Sequence, residues 1–201
     1  MRVTRQFPLS ATCRAALGLA ACALIGAPAA LASGPSTGGA GLDAKAPKST
    51  PTDPTVPGMT AKIIHGVAYA PSFAPIQVQR AIWAGDKIDH DPYIYGGGHA
   101  DFDSRGYDCS GSVSYVLHAA GLLKTPMDSS DFYSWGKRGH GSWITVYTNP
   151  GHAFVEIAGI RFDTAAEGPA APRGTYPGSG PRWRPLMKST SGFQPRHPAG
   201  F

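Results

Sequence analysis

The sequence predicts an α+β domain in which a helix packs on an antiparallel sheet. Three segments carry that expectation. Val113, Val116, Leu117 and Ala120 recur at helical spacing after Asp108-Cys109. His152-Ala153-Phe154-Val155-Glu156-Ile157 and Ile160-Arg161-Phe162-Asp163-Thr164 both alternate, and Ala158-Gly159 fits a two-residue hairpin turn between them. An earlier stripe of Ile76, Val78, Ile82 and Trp83 reads as a first helix over Pro75–Asp86.

Taken in order, residues 1–32 read as an export signal. Arg2, Arg5 and Arg14 give a positive start, residues 15–30 are almost wholly apolar, and Ala30-Leu31-Ala32 has the small-x-small form of a cleavage site. Leu19-Ala20-Ala21-Cys22 also has the form of a lipoprotein box. The sequence after Cys22 stays apolar, however, which favours cleavage after Ala32 over anchoring through Cys22. Residues 33–58 are rich in Pro, Gly, Ser and Thr and lack an apolar period, so they are expected to be a linker. Residues 59–201 remain, enough for one domain with one core. No other segment is long and apolar enough to span a bilayer, so no stable membrane insertion is expected after signal removal.

Charge excludes little. The chain has a formal net charge of +5, but residues 1–32 hold three arginines and no acid, so the remainder carries +2. That balance gives no reason to expect a nucleic-acid partner. Arg173, Arg182, Arg184, Lys188 and Arg196 make the C-terminal tail basic, which reads as a solvated surface. The stretch Pro169–Pro181 reads as loop, whereas Trp183, Phe193 and Phe201 predict that the tail packs back on the domain.

The chemistry centres on Cys109. Cys13 and Cys22 lie in the export signal, so the mature chain keeps one thiol, which cannot close an intramolecular disulfide. Asp108 stands where a helix N-cap belongs and Gly121 where the helix stops. Cys109 then falls in the first helical turn, where backbone N–H groups and the positive end of the macrodipole favour thiolate over thiol. A base must come from elsewhere. In the hairpin register that sets Ile157 opposite Ile160 and Glu156 opposite Arg161, His152 and Asp163 become diagonal neighbours within side-chain reach. Asp163 can then hold the imidazole in the tautomer that a nucleophile–base–orienter set needs. Glu156 and Arg161 read as a structural cross-strand ion pair. The ordinary alternatives are a buried, inert Cys109, a surface His152 and a solvated Asp163.

Taken together, the residues resemble the NlpC/P60 family of cell-wall cysteine peptidases. Pro92-Tyr93-Ile94-Tyr95-Gly96-Gly97 is similar to that family's approach segment, Asp108-Cys109-Ser110-Gly111 to its nucleophile motif, and Gly151-His152-Ala153 to the start of its histidine strand. The resemblance spans residues 75–165. It implies a papain-like core, Cys109 as nucleophile with His152 as its base, to which the hairpin register adds Asp163 as third member, a substrate cleft lined by Tyr93, Asp108 and Ser110, and peptidoglycan stem peptides as substrate, cut often between D-glutamate and a diamino acid. It implies a secreted, monomeric enzyme of the periplasm or cell wall, with no cofactor.

Two departures stand out. The family's third polar residue is commonly histidine, where this chain offers Asp163. The usual Pro-Gly-Asp-Leu segment before the histidine strand is replaced by Gly141-Ser142-Trp143-Ile144-Thr145-Val146-Tyr147. A non-catalytic wall-binding module, and an amidase or acyltransferase using the same Cys–His pair, stay open as alternatives. His99, Asp101 and Asp103 lie close in sequence but lack the spacing of a closed metal site, so no metal is expected.

Overall fold

The computed structural model describes residues 53–165 and 180–201. The expected export signal, most of the linker, the lipoprotein box at Cys22, Arg173 and most of the Pro169–Pro181 loop lie outside the described residues.

The α+β expectation holds, with two helices packed on an antiparallel sheet. A small sheet comes first: β1 (Thr55–Val56) runs parallel to β3 (Val67–Pro71), and β2 (Lys62–Ile64) pairs antiparallel on the other side of β3. The linker boundary at residue 58 is therefore too late. Thr55 and Val56 sit in register with Ala70 and Pro71, and the Pro54 carbonyl accepts from both the Ala70 N–H and the Trp83 Nε1–H. Backbone groups and one indole order these residues, which an apolar period could not have revealed.

Helix α1 (Ile76–Ile88) buries Val78, Ala81, Ile82 and Ala84 and leaves Ile76 exposed. Helix α2 (Cys109–Ala119) is capped by Asp108, whose carboxylate accepts from the Gly111 N–H at 2.8 Å. Gly121, at φ +74°, ends it by donating its N–H to the His118 carbonyl. The two helices pack on each other, and α2 lies on the main sheet.

That sheet has six strands in the order β4 (Lys137–Arg138), β9 (Gln194–His197), β5 (Ile144–Asn149), β6 (His152–Ile157), β7 (Ile160–Asp163) and β8 (Arg182–Arg184). The β6–β7 hairpin has the expected register, Glu156 opposite Arg161 and Ile157 opposite Ile160. Both turn residues, Ala158 and Gly159, have positive φ, as a turn matched to strand twist demands. Ala153, Val155, Ile157, Ile160 and Phe162 are buried in the core with Val113, Val116 and Leu117 of α2.

The basic tail is more than a solvated surface. It supplies the edge strand β8 and the inner strand β9. Arg196 is buried and donates to the carbonyls of Trp135 and Gly136. Trp183 packs on Phe162 with ring centroids 4.6 Å apart, and Phe201 packs against the core, as the tail's aromatics predict. Among the described residues no helix is long and apolar enough to cross a membrane.

Candidate active site

The hairpin's second face is also buried. Phe154 is fully enclosed, stacked on Tyr147 at 4.9 Å and edge-on to Phe193 at 5.0 Å. His152, at the start of β6, and Asp163, at the end of β7, lie in this shielded layer at 7% and 1% exposure. Neither is the solvated strand residue that alternation alone would allow.

The imidazole Nε2 of His152 lies 2.8 Å from Asp163 Oδ1. A carboxylate only accepts, so Nε2 carries a proton and Nδ1 is the second, buried ring nitrogen. Cys109, the first residue of α2, acts on the same imidazole and is among the groups that raise its pKa. Burial opposes charge on His152, but the hydrogen bond to Asp163 and the influence of Cys109 overcome it and raise its pKa from 6.5 to about 10. At neutral pH this is an imidazolium beside a sulfur nucleophile. The structure thus brings Cys109, His152 and Asp163 together, with His152 and Asp163 joined by a hydrogen bond.

Asp163 is held from two sides. Its Oδ1 also accepts from the Ala165 N–H at 2.8 Å, and its Oδ2 accepts from Arg161 Nη1 at 2.8 Å. Arg161 is itself buried, donates through Nε to the Pro185 carbonyl, and lies 5.7 Å from the centre of the Phe154 ring. The expected Glu156–Arg161 ion pair is corrected here. The two face each other in register, but the guanidinium turns to Asp163, two residues along its own strand. Burial raises the Glu156 pKa, with Tyr147 and Arg161 acting against the rise.

An open cleft of about 730 Å³ runs past the thiol, lined by Tyr93, His99, Asp108, Cys109, Ser110 and Asp128 among others. Tyr93, Asp108 and Ser110 therefore all reach the cleft. The Asp108 carboxylate, however, is buried and held within the protein. Oδ1 accepts from the Gly111 N–H and from His99 Nε2 at 2.9 Å, and Oδ2 accepts from the Gly96 N–H at 3.0 Å. Burial opposes its charge, but these donors, His99 first, hold its pKa below the usual carboxylate value. Ser110 Oγ lies 3.2 Å from His99 Nε2 and 3.3 Å from Asp108 Oδ1.

His99 is the cleft residue that sequence reasoning passed over, having weighed it only as a metal ligand. Its position depends on backbone proximity. A Cβ on Gly111 would fall 2.0 Å from the Gly97 carbonyl oxygen, so the glycine turn can press on the first turn of α2 only because Gly111 lacks a side chain. The loop between them is pinned as well. Tyr107 Oη donates to the Phe102 carbonyl at 2.8 Å, and Phe102 stacks on His118 at 3.8 Å.

No protein-family model matches the chain, and no curated protein matches it in sequence. Solved structures similar to it include the peptidoglycan hydrolase RipB from Mycobacterium tuberculosis, at 18% identity and a TM-score of 0.43, covering 61% of this chain and 64% of that one. An NlpC/P60 family protein from Bacillus cereus is similar at 16% identity and a TM-score of 0.43, covering 60% of this chain and 39% of the other. A lipoprotein-like NLP/P60 family protein from Staphylococcus aureus is similar at 19% identity and a TM-score of 0.41, covering 64% and 43%. The chain thus spans less than two thirds of the length of each.

Proposed function

We propose that this chain is a cysteine peptidase that hydrolyses peptide bonds in peptidoglycan stem peptides outside the cytoplasm. The observation that carries the reading is the buried Asp163–His152 pair acting on Cys109, which lines an open cleft. An inert cysteine needs no imidazolium partner, and a solvated histidine needs no buried carboxylate braced by an arginine. The resemblance of Asp108-Cys109-Ser110-Gly111 and of the Pro92–Gly97 segment to NlpC/P60 motifs supports the substrate class, and the export signal read in residues 1–32 supports the compartment. The enzyme acts as a monomer and uses no cofactor.

In the mechanism, the Cys109 thiolate attacks the scissile carbonyl carbon and forms a tetrahedral intermediate. The Cys109 N–H, at the start of α2, donates to the developing oxyanion. His152 passes the Nδ1 proton to the leaving amine as the C–N bond breaks, leaving a thioester on Cys109. Neutral Nδ1 then takes a proton from water, whose oxygen attacks the thioester. Collapse releases the acid and restores the thiolate beside the imidazolium. Asp163 accepts from Nε2–H throughout and fixes the ring.

The test is mass spectrometry of muropeptides after digestion of purified peptidoglycan. The expected products differ from substrate by one water and are cut within the stem peptide. They should vanish with Cys109→Ala and with His152→Ala while the thermal melt stays within a few degrees. Undiminished cleavage by Cys109→Ala refutes the reading. Release at the sugar–peptide amide, or products joined to an added amine, would instead identify an amidase or an acyltransferase.

A further inference from the structure

Behind the catalytic pair lies a buried cation that the mechanism does not use. Arg161 stands two residues before Asp163 on β7, so both side chains emerge on the same face of the sheet. It is 4% exposed and, among the described residues, is not one that lines the cleft. Its Nη1 donates to Asp163 Oδ2 at 2.8 Å, while the other oxygen, Oδ1, accepts from His152. Its Nε donates at 3.2 Å to the Pro185 carbonyl, one residue past β8. The guanidinium carbon lies 5.7 Å from the centre of the Phe154 ring, and that ring lies 6.2 Å from the imidazole of His152.

A buried ion pair is a weak device for stability, because desolvation offsets much of the attraction. An apolar residue at 161 would pack in the same layer against Phe154 without that cost. What the guanidinium adds is direction. A planar fork held at Nε by the tail carbonyl presents Nη1 to one carboxylate oxygen, which leaves the other aimed at Nε2 of His152. It also adds a charge that residue 163 must answer. We propose that Arg161 is a positioning residue of the reaction: acting through Asp163 it fixes the imidazole of His152, and its buried charge requires residue 163 to be a carboxylate.

The charges around the pair fix the sign of the effect. Asp163 meets His152 of β6 and Arg161 of its own strand, and lies in register with Arg182 of β8. Arg184 of β8 donates through Nε to the Asp163 backbone carbonyl, and its charge acts on both Asp163 and Arg161. Glu156 of β6 stands opposite Arg161, and Cys109 of α2 acts on His152. Removing Arg161 leaves the imidazolium its carboxylate and takes away the cation on the far side of it. His152 then holds its proton to higher pH. The inference rests on the proposed peptidase function for its kinetic test, but its titration needs no turnover.

The first measurement is an NMR titration of the His152 ring in the Cys109→Ala protein, with and without Arg161→Met. The midpoint should rise by roughly half a pH unit or more. The second is steady-state cleavage of a synthetic stem peptide. Arg161→Met should lower kcat about tenfold or more while KM stays within about twofold, since the residue is away from substrate. Arg161→Lys, which keeps the charge without the fork, should leave the titration in place and retain part of kcat. Asp163→His strands the guanidinium, so adding Arg161→Met to it should raise activity about tenfold or more above Asp163→His alone. Urea unfolding runs in parallel. Should Arg161→Met not fold, Arg161→Lys and the double variant carry the test, because neither leaves a lone buried charge. An unmoved or lowered titration, a kcat within about twofold of wild type in Arg161→Met, or a double variant no more active than Asp163→His overturns the inference. An unmoved titration with Cys109-dependent cleavage overturns it and leaves the peptidase reading standing. A raised titration with no cleavage of the stem peptide overturns the peptidase reading alone.

Discussion

Replacing Asp163 by asparagine changes one atom and no shape, and the structure says what that atom does. Asp163 Oδ1 accepts from His152 Nε2 and the Ala165 N–H, and Oδ2 accepts from Arg161, so every near partner is a donor. An asparagine has one oxygen to offer. If it faces His152 and Ala165, the amide NH₂ opposes Arg161; if it faces Arg161, the NH₂ opposes the Ala165 N–H and drives His152 to the other tautomer. A hydrogen bond to a charged group contributes about 1.5–3 kcal/mol. Its loss from the imidazolium predicts a fall in kcat/KM of roughly 10- to 150-fold, with a stability loss of about 1–3 kcal/mol from the unmatched donor. The pH profile has a defined sign. The active form holds His152 protonated and Asp163 favours that form, so losing the carboxylate lowers the pKa of about 10 and moves the alkaline limb of kcat/KM toward neutral pH. The assay is steady-state cleavage of a synthetic stem peptide from pH 5 to 10, with urea unfolding in parallel. Rates within twofold of wild type and an unmoved alkaline limb would refute the role given to Asp163.

Two further outcomes follow from the same geometry. Cys109 is the one thiol expected after removal of residues 1–32, so iodoacetamide uptake by the mature protein reports on it alone. Iodoacetamide should label Cys109 in the folded protein, and His152→Ala should slow the reaction; labelling only after denaturation, with no dependence on His152, contradicts a nucleophilic Cys109. Gly111→Ala would stabilise an isolated helix by about 1 kcal/mol. Here the added Cβ meets the Gly97 carbonyl oxygen at 2.0 Å, so the melt should fall and kcat/KM with it as the His99–Asp108 wall shifts; a raised melting temperature contradicts the close approach.

The parts of this site that could be read in the sequence are those that local periodicity determines. Strict alternation on both sides of Ala158-Gly159 leaves one register that buries the apolar set, and that register makes His152 and Asp163 neighbours. A capping aspartate followed by helical spacing does the same for Cys109. What stayed hidden depends on contacts between distant segments. Strands β1 and β9 carry no clear apolar pattern: Thr55–Val56 is too short to show a period, and Gln194–His197 contains a proline and a buried arginine. Phe154 was the available sign that the hairpin's polar face is covered, since a phenylalanine among polar residues needs a partner, and Tyr147 and Phe193 supply it.

Arg161 shows why the departure from histidine at the third position is consistent with the rest of the site. Asp163 must satisfy a buried guanidinium and an imidazolium at once, and it is 1% exposed, so water cannot assist. A carboxylate has one oxygen for each cation and balances part of their charge. A histidine would oppose Arg161 with a ring that is neutral or positive, leaving a buried cation without its counter-ion. The aspartate and the arginine two residues before it therefore act as one unit, with the Ala165 N–H as a further clamp. The same device recurs on the other side of the nucleophile, where His99 and two backbone N–H groups occupy Asp108. In both places a buried carboxylate holds an imidazole. Two histidine–carboxylate pairs are thus built around Cys109, His152–Asp163 and His99–Asp108.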